Sequence, residues 1–356
     1  MNISPLIALS LVLGGCSPHN GFAAGGQRHV EISPRKDGDE AYPYHGQSFT
    51  QFVTDSVRET RGESLTPFYT WMDKAYSSVH KKLDPHSLAT LAKELARQRT
   101  LLASIKDLNK RTAEERRLGV WLHRLVKTVI PKFSLDRGSE FTNTVRYGER
   151  QCFLQSVLIA GLAQSMGIDA GVYMVWKNEK GSESNNGHAV SVLKLSNGHD
   201  LLVDASDPAP FMRHQGLFVV EAQRYRFARP RYNSQSEITT YLAAESTDES
   251  KPRAIRTLDR SFLRSQFYFY RGERSPGGFL GTPKTNAGLR ASAKYLSEAI
   301  RICPQNSLAV YVLGHAYARL GKQSQADAQF IQGYRLYLSE GYVPPGAKAA
   351  YAEVKR

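Results

Sequence analysis

Three residues far apart in the chain have the types needed for a nucleophilic triad: Cys152, His188 and Asp204. A thiol attacks as its thiolate. That needs a base within hydrogen-bond reach and an acid to fix the tautomer of the base. Cys152 lies in Gly148-Glu-Arg-Gln-Cys152-Phe-Leu, just ahead of an apolar run. The pattern puts it at the first turn of a helix, where the macrodipole favours a thiolate, with Arg150 close by. His188 opens Gly187-His188-Ala189-Val190, and Asp204 closes Leu201-Leu-Val-Asp204. On its own, a single cysteine is more often core than nucleophile. The ordered set of cysteine, histidine and aspartate reverses that weighting.

The elements that must hold this set are legible in outline. Phe153 to Met166 carries Leu154, Val157, Leu158, Gly161 and Leu162 at helical spacing and ends before Gly167. Gly171–Trp176, His188–Leu195 and Leu201–Ala205 read as strands, and Asn197-Gly198 between the last two is a hairpin signal. Alternate strand residues face opposite sides, so the loop length decides the chemistry. A two-residue turn pairs His188 with Asp207 and puts His188 and Asp204 on opposite faces. A three-residue loop, Ser196-Asn197-Gly198, pairs Val190 with Asp204 and brings His188 and Asp204 to one face. The second register is the expected one. In the first, Asp207 would be the orienting acid.

This helix-strand-strand order resembles the transglutaminase-like superfamily, which includes bacterial transglutaminase-like cysteine peptidases. Arg150-Gln151-Cys152 stands at the helix start, with Arg150 where that family usually has glycine, and Gly187-His188-Ala189 and Asp204 follow on strands. The resemblance spans roughly residues 145–208. It implies an α+β fold, with a papain/transglutaminase-like core in which a nucleophile helix packs on an antiparallel sheet. It also implies a cysteine peptidase, an amidase or a protein-glutamine acyltransferase, with Cys152, His188 and Asp204 as catalytic residues and a protein or peptide substrate. Hydrolysis is favoured over cross-linking, because water is always present and no amine-donor site can be read. The rival reading is a non-catalytic, lipid-tethered scaffold.

For the oxyanion, the Cys152 backbone N–H is the natural donor, and Gln151 is a weaker second. His123 and Trp121 lie on an apolar helical stripe and read as core. His199 and His214 read as solvent-facing loop residues. Cysteine and histidine are too few and scattered for a zinc set, so no metal is expected. No phosphate loop or dinucleotide fingerprint occurs, and no cofactor is expected.

The 356-residue chain is 41% hydrophobic and 22% charged, an ordinary globular balance with room for two or three domains. Its formal charge of +14 raises the odds of anionic partners. The N-terminus points to lipid headgroups or wall polymers before nucleic acid, for which no motif exists. Leu6–Leu13 is too short to span a bilayer but suits a signal-peptide h-region, and Leu13-Gly14-Gly15-Cys16 resembles a lipoprotein cleavage box. The expectation is therefore an exported protein anchored to a membrane through lipid on Cys16, on the periplasmic face. Ser17 in place of aspartate points to the outer membrane.

The expected organisation is a signal over 1–16, a tether over 17–48 and a helical region over 49–140. The catalytic core follows over 141–245, a linker over 246–286, a tetratricopeptide-like repeat over 287–340 and a tail over 341–356. In the helical region, Asp84-Pro85 and Thr112-Ala-Glu-Glu115 mark helix starts. The repeat rests on Leu313-Gly314, Tyr317, Gly321, Ala326 and Phe330, with Ala299, Cys303 and Pro304 at the turn before it. One and a half repeats cannot stand alone, so this segment should dock on the body or on a protein partner.

Overall fold

The computed structural model describes residues 41–62 and 66–355, apart from the side chains of residues 184–186. The apolar stretch ahead of Cys16, and Cys16 itself, lie outside the described residues. Among those described, no helix is long and apolar enough to cross a membrane.

The fold is α+β. Four helices come first: α1 (Gln47–Thr60), α2 (Phe68–Leu83), α3 (Leu91–Ser104) and α4 (Leu108–Val129). The packed body begins earlier than the expected tether allows. Tyr42 and Tyr44 are buried beside Phe49 and Phe52, and the Tyr44 N–H donates to the Gly161 carbonyl at 2.9 Å. Two aromatic rings bury too much apolar area to stay in water. Both expected helix starts are displaced. α3 begins after Thr90, leaving Leu88 outside it and 39% exposed. α4 begins with Asp107, whose carboxylate accepts from the Lys110 N–H, so Thr112 is interior. An aspartate cap one turn upstream satisfies the same orphan donors.

A short strap follows: β1 (Lys132–Phe133), α5 (Phe141–Tyr147) and β2 (Glu149–Arg150). It leads into α6 (Cys152–Ser165), whose residues from Cys152 through Ala163 are all buried. A helix apolar on every side belongs inside a domain, and α6 packs against β3 (Asp169–Lys177), β4 (Glu183–Lys194) and α4.

The sheet continues through β5 (Asp200–Val203), β6 (Gly216–Glu221), β7 (Arg224–Tyr232) and β8 (Glu237–Ala243). The order β6-β3-β4-β5-β8-β7 closes through β6–β7 pairing into a six-stranded antiparallel barrel. β9 (Glu249–Ser250) adds to β8 and β10 (Ile255–Arg256) to β6. Closure pairs the edges that an open sheet would leave bare. Tyr173, Val190, Val192, Leu202, Val219 and Tyr241 fill one core, while Ala189, Leu193 and Val203, of opposite parity, join the core shared with α6.

The segment expected as a linker contains α7 (Arg260–Glu273), one of the most buried helices among the described residues. Its arginines and serines mask a face of Phe262, Leu263, Phe267 and Tyr270 that packs inward. Arg271 clamps Glu140 in a two-pronged ion pair at 2.7 and 3.0 Å, tying α7 to the start of α5. α8 (Asn286–Ile302), α9 (Ser307–Arg319), α10 (Gln323–Ser339) and α11 (Pro345–Val354) complete the chain. α11 occupies the expected tail. This helical segment is fused to the barrel. The Phe227 N–H donates to the Glu340 carbonyl at 3.0 Å, and Tyr342 packs on Trp176 with ring centroids 4.5 Å apart. Cys303 is buried at the turn before α9, 3.6 Å from the Tyr225 hydroxyl.

Candidate active site

Cys152 is the first residue of α6, after the extended N-cap Gln151. Two ties fix that helix start. The Ser156 hydroxyl donates to the Cys152 carbonyl at 2.7 Å and to the Ala189 carbonyl at 3.1 Å, and the Ser191 hydroxyl reaches the Ser156 carbonyl at 3.2 Å. These bonds lock the first turn of α6 onto β4 one residue from His188. The buried Arg150 guanidinium donates to Gln155 Oε1 at 2.8 Å, Ile130 O at 2.6 Å and Ala205 O at 3.3 Å. It therefore ties the helix start to the turn that carries Asp204. Burial lowers its pKa to about 10. Gln155 adds a bond to the Ser206 hydroxyl at 2.7 Å.

The strap presses on the same backbone. The Ser134 N–H donates to the Arg150 carbonyl at 2.9 Å, and a Cβ on Gly138 would lie 2.3 Å from the Arg150 carbonyl carbon and oxygen. Neither partner is a side chain that can swing away. Gly138→Ala is expected to cost about 1–3 kcal/mol, read as a lower urea midpoint, and to slow any reaction of Cys152, because the strap can yield only by moving residue 150.

The hairpin takes the three-residue register. Ser191 pairs with Val203 and Lys194 with Asp200, and Gly198 adopts the left-handed φ of +84° that such a loop needs. Continuing the ladder sets Val190 opposite Asp204. His188 and Asp204 therefore share parity and meet, with Nε2 to Oδ2 at 2.6 Å. Asp204 lies one residue beyond β5, fully buried, with Oδ1 accepting from the Ser206 N–H at 2.9 Å. A carboxylate can only accept, so the His188 proton sits on Nε2. Nδ1 is left as the base for the Cys152 thiol, which lies close enough to act on the ring. Burial works against a charged His188, but the Asp204 carboxylate outweighs it and raises the imidazole well above its usual value. Burial likewise opposes ionised Asp204. The bonds and charges of His188 and His214 win and hold it far below the usual range.

Asp207 plays no such part. Its backbone carbonyl accepts from His123 Nε2 at 3.0 Å and from Lys127 Nζ at 2.5 Å. Burial, Asp204 and Glu179 raise its carboxyl. Gln151 is buried with Oε1 unpartnered, and its side chain does not cap the helix. His199 sits at the hairpin tip, bound to Glu237 at 2.9 Å.

Two residues at the site escaped the sequence reading. Tyr270 of α7 donates to the Gly187 carbonyl at 2.6 Å, and burial, aided by nearby Cys152 and Glu273, raises its phenol well above the usual value. Nothing in its sequence context marks it, because α7 hides its apolar face among polar residues. His214 was expected in solvent. It is instead 1% exposed, and its Nε2 bonds Asp204 Oδ2 at 3.0 Å. The expectation failed because only the chain path after Pro210 turns this residue inward. With it, His188, Asp204 and His214 offer three ligand atoms within 4.8 Å of one another, a set able to hold a metal ion that sequence spacing did not reveal.

A cavity of about 670 Å³, lined by Gln164, Gly167, Asp169, Lys194, Asp200 and Arg256, lies at the other end of α6. At 1.5 Å per residue that is about 20 Å from Cys152. No protein-family model matches this chain, and no curated protein matches it.

Proposed function

We propose that the protein is a cysteine-dependent acyl-transfer enzyme acting on amide bonds of a protein or peptide, with hydrolysis as its outcome. The observation that carries this reading is the His188 imidazole bound to the buried Asp204 carboxylate at 2.6 Å, with Cys152 at the first turn of α6 close enough to act on the same ring. In the proposed cycle, His188 Nδ1 takes the thiol proton as Sγ attacks the carbonyl carbon. The oxyanion forms against the backbone N–H groups at the start of α6, with the Gln151 amide as a second donor. The C–N bond then breaks, the proton passes from Nδ1 to the departing amine, and water repeats the sequence on the thioester. The transglutaminase-like relationship, export, lipidation at Cys16 and recruitment of a protein partner by the C-terminal helices belong to the same proposal.

The test is the iodoacetamide labelling rate of Cys152 at pH 7 in the detergent-solubilised full chain, followed by peptide mass spectrometry. Cys152 is expected to label at least about ten times faster than the buried Cys303 and to lose that advantage in His188→Ala. Labelling at the Cys303 rate, unchanged by His188→Ala, would make the fold a scaffold for partner binding and overturn the enzymatic reading.

A further inference from the structure

We infer that His188, Asp204 and His214 form a binding site for a borderline-soft divalent cation such as Zn²⁺, and that occupancy silences the triad. A triad needs one base and one orienting acid. Here a second imidazole is buried against the same carboxylate oxygen. Two imidazole nitrogens and one carboxylate suit Zn²⁺ far better than Mg²⁺ or Ca²⁺, which prefer oxygen. Tetrahedral bonds of about 2.0–2.1 Å place ligand atoms about 3.3 Å apart. His214 Nε2 and Asp204 Oδ2 are 3.0 Å apart, and His188 Nε2 and Asp204 Oδ2 are 2.6 Å apart. Two of the separations must widen, by about 0.3 and 0.7 Å, and the two imidazole nitrogens, which lie within 4.8 Å of each other, must settle near the same spacing, adjustments that side-chain torsions can supply.

The surroundings already match those of a metal site. Histidine ligands commonly donate their second ring N–H to a carboxylate. His214 Nδ1 is buried with no hydrogen-bond partner and faces Glu179 Oε2 at 3.9 Å. While Nε2 donates to Asp204, a neutral His214 ring aims its Nδ1 lone pair at the Glu179 carboxylate, acceptor against acceptor. A cation on Nε2 moves the proton to Nδ1, where Glu179 can accept it. Asp204 Oδ1 is held by the Ser206 N–H at 2.9 Å, and the His214 carbonyl by the Tyr232 hydroxyl at 2.7 Å, so both ligands are braced. The His188 side chain, 23% exposed, is the way in and leaves a fourth position for water. A cation on His188 Nε2 displaces the bond to Asp204 that sets the tautomer. The silencing, unlike the binding, therefore rests on the acyl-transfer reading.

Equilibrium dialysis of the full chain against Zn²⁺ tests the binding without reference to catalysis. The expected result is one Zn²⁺ per chain in the parent and in Cys152→Ser, and at least tenfold weaker binding in His214→Ala. His214→Gln keeps an N–H donor to Asp204 but offers no ring nitrogen. It should fold as the parent does and lose Zn²⁺ equally. Zn²⁺ should slow labelling of Cys152 at least tenfold, with recovery in EDTA. No stoichiometric binding, an affinity in the His214 variants equal to the parent's, or loss of binding in Cys152→Ser would overturn the site, the last by making the thiolate the ligand. His214-dependent binding beside labelling that ignores His188 would keep the site and remove the acyl-transfer reading instead.

Discussion

Asp204→Asn is expected to lower turnover of an activated amide or ester about 10⁴-fold while leaving the fold intact by circular dichroism. The carboxylate accepts on both oxygens: Oδ2 from the two imidazoles and Oδ1 from the Ser206 N–H. An asparagine cannot reproduce this. With its oxygen toward the rings, its NH₂ meets the Ser206 N–H, donor against donor. Flipped, it donates to His188 Nε2 and drives the proton onto Nδ1, the nitrogen that must receive the thiol proton. Either way the negative charge opposite the imidazolium is gone. The measurement is single-turnover acylation against substrate concentration. A loss confined to the acylation rate supports the tautomer argument, and a change below tenfold would contradict it.

The second large effect is on stability. Glu340 caps the end of α10, with one carboxylate oxygen accepting from the Ser307 hydroxyl at 2.8 Å and the other without a partner. Burial raises its pKa to about 8, offset only in part by Ser307. Below about pH 4.5 the carboxyl is protonated in both folded and unfolded chains and costs nothing. As pH climbs from there to 8, the unfolded chain ionises first, and stability falls by an amount on the order of 5 kcal/mol before levelling off. Glu340→Gln keeps the shape and removes the linkage. Its urea midpoint should match the parent near pH 4.5 and exceed it clearly at pH 9. Glu273, raised to about 7 by burial despite Arg274, leaves a smaller slope of the same sign in the variant. Parallel midpoint curves for parent and variant would show that Glu340 ionises freely in the folded protein.

The glutamates also show where the sequence falls silent. Nothing adjacent to Glu340 or Glu273 in the chain marks either as buried, because burial is a property of the elements packed over them. The same holds for α7. Read along the chain, Arg260–Glu273 is polar enough to pass for a linker, and only the packing of its apolar face against α1, α6 and α8 gives it a place.

Within the candidate site, the local pieces were legible from the residues alone. A continuous apolar run after Cys152 makes a buried helix whatever surrounds it, and Ser196-Asn197-Gly198 sets the hairpin register that puts His188 and Asp204 on one face. These are short-range consequences of periodicity and turn geometry, so they can be read a few residues at a time. Closure of the barrel, the locking of α6 onto β4 through Ser156 and Ser191, and the inward turn of His214 were decided by tertiary structure alone. Each depends on contacts between segments whose sequences carry no mark of one another, and so does the difference between a triad and a triad that can also hold a metal.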